Sequence, residues 1–391
     1  MDLVKQRFRI GHYSKGDDNG EIGELRQVNE RLHETLDRYK EGIAKHYRNK
    51  KWDRFKKHCN DHELVFTSTP ESPSIAARCP VSRSYFKLWE SMHDFSDLFK
   101  LGSTPVKAVF LAEGPGGFVE AFCSRRAGTP GDTLFGMTLL SSNKNVPEWR
   151  LGCQELHGKP FSIVTGTDGT GNIYNQSNIQ TLVTSVGRAT ADFITADGGF
   201  DFSGNFNMQE QVSTRLIAAE AYTAMSVQKL GGVFFLKVYD IRQAPTLVLL
   251  SILGRCYDAV HLTKPLSSRP ANSEKYVICT GFKGCDAASL ALLKATVVTG
   301  DLKALEGERN TLSVAFLRDI IDANTHFIER QITSIDETLR FIQLHDTAAS
   351  EDAKKTMLAA RCADQALKSH AWCIRYNVGV SESATTRYAF N

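Results

Sequence analysis

The stretch VFLAEGPGGFVEAF, Val109 to Phe122, sets an apolar run against a glycine-rich turn and a second apolar run. The first run has the length of a buried strand and the second that of a helix, so the turn lies where many folds hold a ligand. Pro115 removes one amide donor, and the glycine spacing differs from Gly-x-Gly-x-x-Gly, which argues against a dinucleotide loop. The chain has no Gly-Lys-Ser/Thr that would make the turn a Walker loop. A nucleotide or a sulfonium cofactor stays open on these residues alone.

Apolar runs at 106–112, 132–138, 161–165, 192–197, 232–239, 256–262 and 275–282 are of strand length, and several are apolar throughout, as buried parallel strands are. Helical stretches separate them, most clearly NMQEQVSTRLIAAEAYTAMSVQKL (207–230), with a stop expected at Gly231-Gly232. The alternation predicts an α/β fold with a Rossmann-like, doubly wound sheet. Ahead of it, residues 21–60 read as helix, with Ile22, Leu25, Val28, Leu32, Leu36 and Tyr39 at three- and four-residue steps. TSTPESPSIAARCP reads as a surface loop. Beyond 286, SLALLKA, TLSVAFLRDIIDANTHFIERQI and AKKTMLAARCADQALKSHAWCIRY all read as helices. The expected division is a helical, partly basic region at 1–81, a catalytic domain at 82–285 and a helical region at 286–391.

The chain has 391 residues, 42% of them hydrophobic, which suffices for one domain of catalytic size with appended segments. No apolar run approaches the roughly 20 residues of a bilayer span, and the charged N-terminus lacks a signal-peptide core, so an intracellular protein is expected. The nine cysteines are scattered without a Cys-x-x-Cys pair, and neither a disulfide framework nor a metal site is expected. The net charge of +3 does not by itself imply nucleic acid. KHYRNKKWDRFKK, Lys45 to Lys57, is different: it sets Tyr47, Trp52 and Phe55 among seven Lys/Arg. Such a segment either meets RNA through phosphates and stacked bases or is a solvated basic helix with its aromatics turned inward.

Ligands of open α/β sheets sit at the carboxyl ends of the strands. That rule selects the 114–117 turn, TGTDGTGNI (165–173), TADGGFDFSGNFN (195–207) and LKVYD (236–240). Lys237 stands inside an apolar run, where a lysine is costly unless it pairs or works, and Asp197 at a neighbouring strand end can reach it. The alternative to a working lysine is a buried ion pair.

RSYFKLWE (83–90), EGPGGF (113–118), FGMTL (135–139), DGTGNI (168–173), ADGGF (196–200), FFLKVYD (234–240) and KPLSSRPANSEKYV (264–277) resemble, in order, the motifs of FtsJ-like ribose 2′-O-methyltransferases. The likeness spans about 82 to 282 and is strongest to the eukaryotic and large-DNA-virus branch that acts on the mRNA cap. It implies a catalytic set of Lys87, Asp197, Lys237 and Glu274, with Lys237 as general base for a ribose 2′-hydroxyl attacking a sulfonium methyl. A lysine with a pKa of about 10.4 is protonated at neutral pH. The base role therefore requires burial and a cationic neighbour, for which Lys87 is the candidate. Asp197 is expected to orient the ammonium groups, and Glu274 to fix Lys87 or the ribose.

The same resemblance implies S-adenosyl-L-methionine as cofactor, wrapped by Ala112, Glu113, Gly114, Pro115, Gly116, Gly117 and Phe118. Asp168 and Gly169 are expected on its adenine side and Ser82 as a further contact. Two places depart from the family pattern: Ser82 stands where Asn is usual, and Glu113 where Cys or Asp is. On the RNA side Asn207, Arg269 and Asn272 are the implied contacts, although Asn207 is also placed to cap the helix that follows. The implied partner is capped mRNA, with other capping or transcription proteins beside it, in the nucleus, the cytoplasm or a viral factory. The implied activity is methylation of the first transcribed nucleotide. Second-nucleotide specificity, an rRNA 2′-O-methyltransferase and a non-catalytic RNA-binding subunit are the alternatives, and the intact set of four weighs against the last. A nicotinamide dehydrogenase lacks its glycine spacing and any hydride-transfer residues.

Overall fold

In the computed structural model, which describes residues 7–11, 19–47, 50–67, 72–200, 206–388 and 390, the glycine turn does join a strand to a helix. Strand β1 (Phe8–Ile10) precedes helices α1 (Asn19–Tyr47), α2 (Lys51–His58), α3 (Ser84–Asp94) and the single turn α4 (Ser96–Phe99). The alternating part follows as β2 (Lys107–Leu111), α5 (Gly117–Arg125), β3 (Thr133–Met137), α6 (Cys153–Leu156), β4 (Phe161–Ile163), α7 (Gln176–Val186) and β5 (Ala191–Ala196). It continues through α8 (Gln209–Val227), β6 (Gln228–Val238), α9 (Ala244–Cys256), β7 (Tyr257–Thr263) and β8 (Lys275–Phe282). The remaining elements are helices: α10 (Ala287–Thr299), α11 (Lys303–Gly307), α12 (Val314–Asp346), α13 (Glu351–Arg375) and α14 (Glu382–Tyr388).

The sheet runs β1-β7-β8-β6-β5-β2-β3-β4, with β4 to β6 parallel and β8 antiparallel between β6 and β7. From β2 the chain winds outward to β3 and β4, then returns to place β5 on the other side of β2. The crevice of a doubly wound sheet opens at that reversal. It lies between the end of β2, where the glycine turn starts, and the end of β5, where Asp197 stands.

All seven expected strands form, and β1, too short and too charged to read from the sequence, adds an edge by pairing antiparallel with β7. The helix expected over 21–60 is two helices, because Lys50 adopts a left-handed conformation (φ 58°). The helix stop expected at Gly231-Gly232 comes earlier. Residue Gln228 is extended, so α8 ends at Val227, and both glycines lie inside β6.

One face of the sheet packs on α8 and α9 through residues such as Leu216, Leu250 and Val277. The other packs on α3 and α5 through Phe86, Phe110, Phe118, Phe122, Phe193 and Phe235, with Trp372 and Tyr376 of the α13 end joining the same core. A third core holds α1 and α2 on α12, through Leu36, Ile43, Trp52, Phe55, Ile335 and Phe341. Trp52 and Phe55 are thus inward-facing, which overturns the stacking reading of the basic segment for those two; Arg48, Asn49 and the Tyr47 side chain lie outside the described residues.

Candidate active site

Helix α3 and the segment after β7 are tied together by three polar side chains at positions i, i+4 and i+7 of the chain. Arg83 donates to the Ser267 carbonyl (3.0 Å), Lys87 pairs with Glu274, and Glu90 accepts from the amides of Leu266 (2.5 Å) and Ser267 (3.0 Å). That periodicity puts all three on one helix face. Lys87 Nζ lies 2.7 Å from Glu274 Oε1 and 2.9 Å from Oε2, and both side chains are largely buried. Burial works to raise the Glu274 pKa, but Lys87 first, then Lys237 and Lys264, hold it below the carboxylate range.

Asp197 and Lys237 meet at the ends of β5 and β6. The Lys237 ammonium lies 3.1 Å from Asp197 Oδ1 and donates to the Asp197 carbonyl at 2.6 Å. The Tyr276 hydroxyl donates to the same Asp197 Oδ1 at 3.1 Å, and Tyr276 is the cross-strand partner of Lys237. Its ring stacks on Phe235 (centroids 4.7 Å apart) with Lys87 Nζ 5.9 Å from its centroid, so one buried tyrosine stands between the two lysine–carboxylate pairs. All four catalytic candidates therefore come together. Burial tends to lower the Lys237 pKa, but Asp197, with Tyr239 and Glu274, outweighs it, and the pKa is raised. The depressed lysine expected of a ready base is not what this geometry gives, because Asp197 lies beside the ammonium while Lys87, the expected cationic neighbour, is paired with Glu274.

The glycine turn forms the opposite wall. Ala112 follows β2 in a left-handed conformation (φ 54°), and its amide donates to the Met137 carbonyl (2.8 Å) while Asp197 N donates to the Leu111 carbonyl (3.2 Å). Gly114 N reaches Thr138 Oγ1 (3.5 Å) and Leu140 N the Thr170 carbonyl (2.7 Å), so the ends of β2 and β3 and the loop bearing Asp168 and Gly169 share one corner. The glycines are required by the protein itself: a Cβ on Gly114 falls 2.1 Å from the Pro147 carbonyl, and one on Gly117 falls 2.2 Å from Ser84 Oγ and 2.3 Å from Ser82 Oγ. Pro115 accepts from Arg150 N (3.0 Å), and Gly116 takes a φ of 114° at the start of α5.

Glu113 is buried, hydrogen-bonded by Thr195 through Oε1, with no partner for Oε2. The same holds for Glu220 of α8: Oε1 accepts from Gly198 N (3.0 Å) and Oε2 has no partner. Two orphaned carboxyl oxygens at this corner suit a cationic ligand, and the sulfonium donor implied by the sequence fits that donor set.

Residues 80–282, just over half of the chain, match the profile of the FtsJ-like methyltransferase family.

The chain belongs to the FtsJ-like methyltransferase family.

This FtsJ-like chain is 32% identical over 255 residues to the mouse (Mus musculus) cap-specific mRNA (nucleoside-2′-O-)-methyltransferase 1, covering 62% of this chain and 30% of that protein. The zebrafish (Danio rerio) protein of the same name is 33% identical over 235 residues, covering 57% and 27%. That of Trypanosoma brucei brucei is 31% identical over 245 residues, covering 57% and 65%. The chain thus matches less than a third of the length of the mouse and zebrafish relatives.

Other expected contacts of the FtsJ-like domain fall out unevenly. Phe118 is fully buried between Phe235 and Tyr276 (centroids 5.4 and 5.9 Å), so its ring braces the tyrosine and is not a donor contact. Asp168 is exposed, and its carboxylate accepts from Thr170 N (2.9 Å), Thr170 Oγ1 (2.7 Å), Asn175 (2.8 Å) and Asn178 (2.8 Å). Those bonds, Thr170 foremost, hold its pKa below the ordinary value and fix the loop. Ser82 lies against Ser84 (2.5 Å) over Gly117.

On the RNA side, Arg269 is engaged by Glu63, at 2.7 and 2.9 Å, and is not an open phosphate ligand. Asn272 is exposed, while its carbonyl and Oδ1 accept from the buried Lys264 Nζ at 2.6 and 2.9 Å; the third Lys264 donor goes to the Glu274 carbonyl at 2.6 Å. Asn207 is exposed in a 3-10 turn (Phe206–Met208), and the N-cap position of α8 is Met208, one residue later than expected; residues 201–205 of the predicted loop lie outside the described residues. Arg269 and Asn272 line a cavity of about 80 Å³ with Trp52, Lys56 and Gln209. Tyr276, Glu90, Lys264 and Glu220 are the side chains at this site that the sequence did not single out. The first three lie within the quoted motifs, and Glu220 sat unremarked in a helix that looked like plain packing.

Proposed function

We propose that this chain transfers a methyl group from S-adenosylmethionine to the ribose 2′-oxygen of the first transcribed nucleotide of capped mRNA. The observation that carries the reading is the meeting of Lys87–Glu274 and Asp197–Lys237 at Tyr276, across the sheet reversal from the glycine turn. The relatives' names support the cap and the 2′-oxygen.

The bound donor supplies an electrophilic methyl carbon. The Ala112–Gly117 turn, Thr138 and the Asp168 loop would hold it, and Lys87, fixed by both oxygens of Glu274, would position the ribose. Lys237 would take the hydroxyl proton. Because Asp197 keeps Lys237 charged, it accepts only as it hands a proton to the Asp197 carboxylate 3.1 Å away, so the pair acts as the base. The basic helix α2 and Asn272 border one cavity, which supports RNA entering from that side. An intracellular site of action follows from such a substrate, and among the described residues no helix is long and apolar enough to cross a membrane.

Incubation with labelled S-adenosylmethionine and, separately, capped RNA, the same RNA uncapped, and ribosomal subunits tests the reading. Label on capped RNA alone supports it; label on ribosomal subunits alone replaces it with the rRNA activity.

A further inference from the structure

The buried charges of the site do not balance in the way the catalytic set alone suggests. Asp197 faces Lys237 and Glu274 faces Lys87, each within ion-pair distance. Glu113 and Glu220 are as deeply buried, and among the described residues neither has a cation in contact. Each makes one hydrogen bond through Oε1 and leaves Oε2 without a partner. A lone carboxylate in such a place is expensive, and the ordinary remedy is to keep the proton. A buried acid that keeps its proton is available to ionise when a cation arrives.

We propose that Glu113 and Glu220 are the counter-charge for the positive sulfur of the methyl donor: neutral in the free site, they give up a proton when the sulfonium binds. The proposal rests on the reading of the glycine turn as the donor site. It assigns a role to two residues outside the catalytic set, and it makes donor affinity depend on pH while affinity for the uncharged thioether product does not.

The surroundings fit. Glu113 stands in the glycine turn two residues past the end of β2, facing Thr195 of β5, Asp197 just beyond it, Glu220 from α8 and Lys237 from β6. Glu220 reaches Gly198 from the other side, facing Asp197, Lys237 and Tyr239, with Tyr174 and its Arg215 partner farther along. Burial pushes Glu113 well above the carboxylate range, Asp197 and Glu220 adding to it, and burial takes Glu220 up to about 8. Gly198 admits no side chain, since a Cβ there falls 2.2 Å from Glu220 Oε1, so the chain keeps this corner for the carboxyl. A cation favours the ionised acid, so donor binding tightens as the pH rises, and the part of that gain due to Glu220 is complete above about 8. After methyl transfer the sulfur is neutral, the carboxyl regains its proton, and the product loses the attraction that held the donor.

Isothermal titration of the whole chain with S-adenosylmethionine, S-adenosylhomocysteine and the amine-bearing analogue sinefungin, in phosphate and in Tris at pH 7, tests this. The expected result is roughly one proton released per S-adenosylmethionine or sinefungin bound and none per S-adenosylhomocysteine. Glu113→Gln and Glu220→Gln should each reduce that release and weaken S-adenosylmethionine by roughly tenfold or more, leaving S-adenosylhomocysteine within about twofold. Equal proton counts for the charged and uncharged ligands in the wild-type chain overturn the proposal, whatever the variants do. Failure of all three ligands to bind overturns the donor-site reading and the proposal with it.

Discussion

Lys87 and Glu274 lie 187 residues apart in sequence yet meet through both carboxylate oxygens, at 2.7 and 2.9 Å, between helix α3 and the entry to β8. Arg83 and Glu90 flank Lys87 on the same helix face and bind the backbone of Leu266 and Ser267. Replacing Glu274 by Gln keeps the shape and removes the charge. Methyl transfer should fall by about 10² to 10³ with donor affinity unchanged; calorimetry showing lost donor affinity instead would place Glu274 on the wrong side of the site.

Substitution at Lys237, 3.1 Å from Asp197 Oδ1, distinguishes a proton carrier from a fixed charge. Lys237→Arg keeps a cation next to Asp197 but cannot pass a proton, since guanidinium stays protonated. Both Lys237→Ala and Lys237→Arg should cost at least about 10² in turnover while binding the donor normally. Near-normal turnover of the Arg variant would show that only the charge matters.

The seven strands, the sheet reversal and the nearness of Asp197 to Lys237 were legible because each rests on a local pattern, namely apolar runs, glycine turns and a lysine where none should be, whereas Lys87 and Glu274 came only with the family resemblance. Tyr276 is not legible in the sequence, because a tyrosine in an apolar strand looks like core until Asp197 is seen at its hydroxyl. Trp52 and Phe55 could not be placed, since their burial depends on α12, nearly 300 residues later. Arg269 looked available for phosphate because Glu63, its partner, lies 206 residues away.

Asp240 anchors the first helix to the end of β6. It accepts from Lys40 at 2.7 Å and Ser273 at 3.0 Å, with Lys275 at 3.7 Å, all buried. Asp240→Asn leaves two buried lysines against a neutral group and should cost about 3 to 5 kcal/mol of stability. Urea unfolding followed by circular dichroism checks this, and an unchanged midpoint would mean α1 is held by its apolar contacts alone.

Glu63 clamps Arg83 and Arg269. Burial raises its pKa, but the hydrogen bond from Arg269 and the charges of both arginines bring it down to about 2. A carboxyl depressed on folding contributes stability above its unfolded value and loses it as the pH falls through the folded one. Stability should therefore drop between pH 4.5 and pH 2, and Glu63→Gln, less stable at neutral pH, should lose less over that interval. Parallel pH profiles of unfolding free energy for the two proteins would contradict the clamp.

The central claim is methyl transfer to one oxygen of one nucleotide. Mass spectrometry of short capped RNAs with defined first and second nucleotides, after incubation with the chain and isotopically labelled S-adenosylmethionine, tests it most directly. The predicted result is a single labelled methyl on the ribose of the first transcribed nucleotide, absent with Lys237→Ala. Label on the second nucleotide, on a base or on uncapped RNA to the same extent would contradict it.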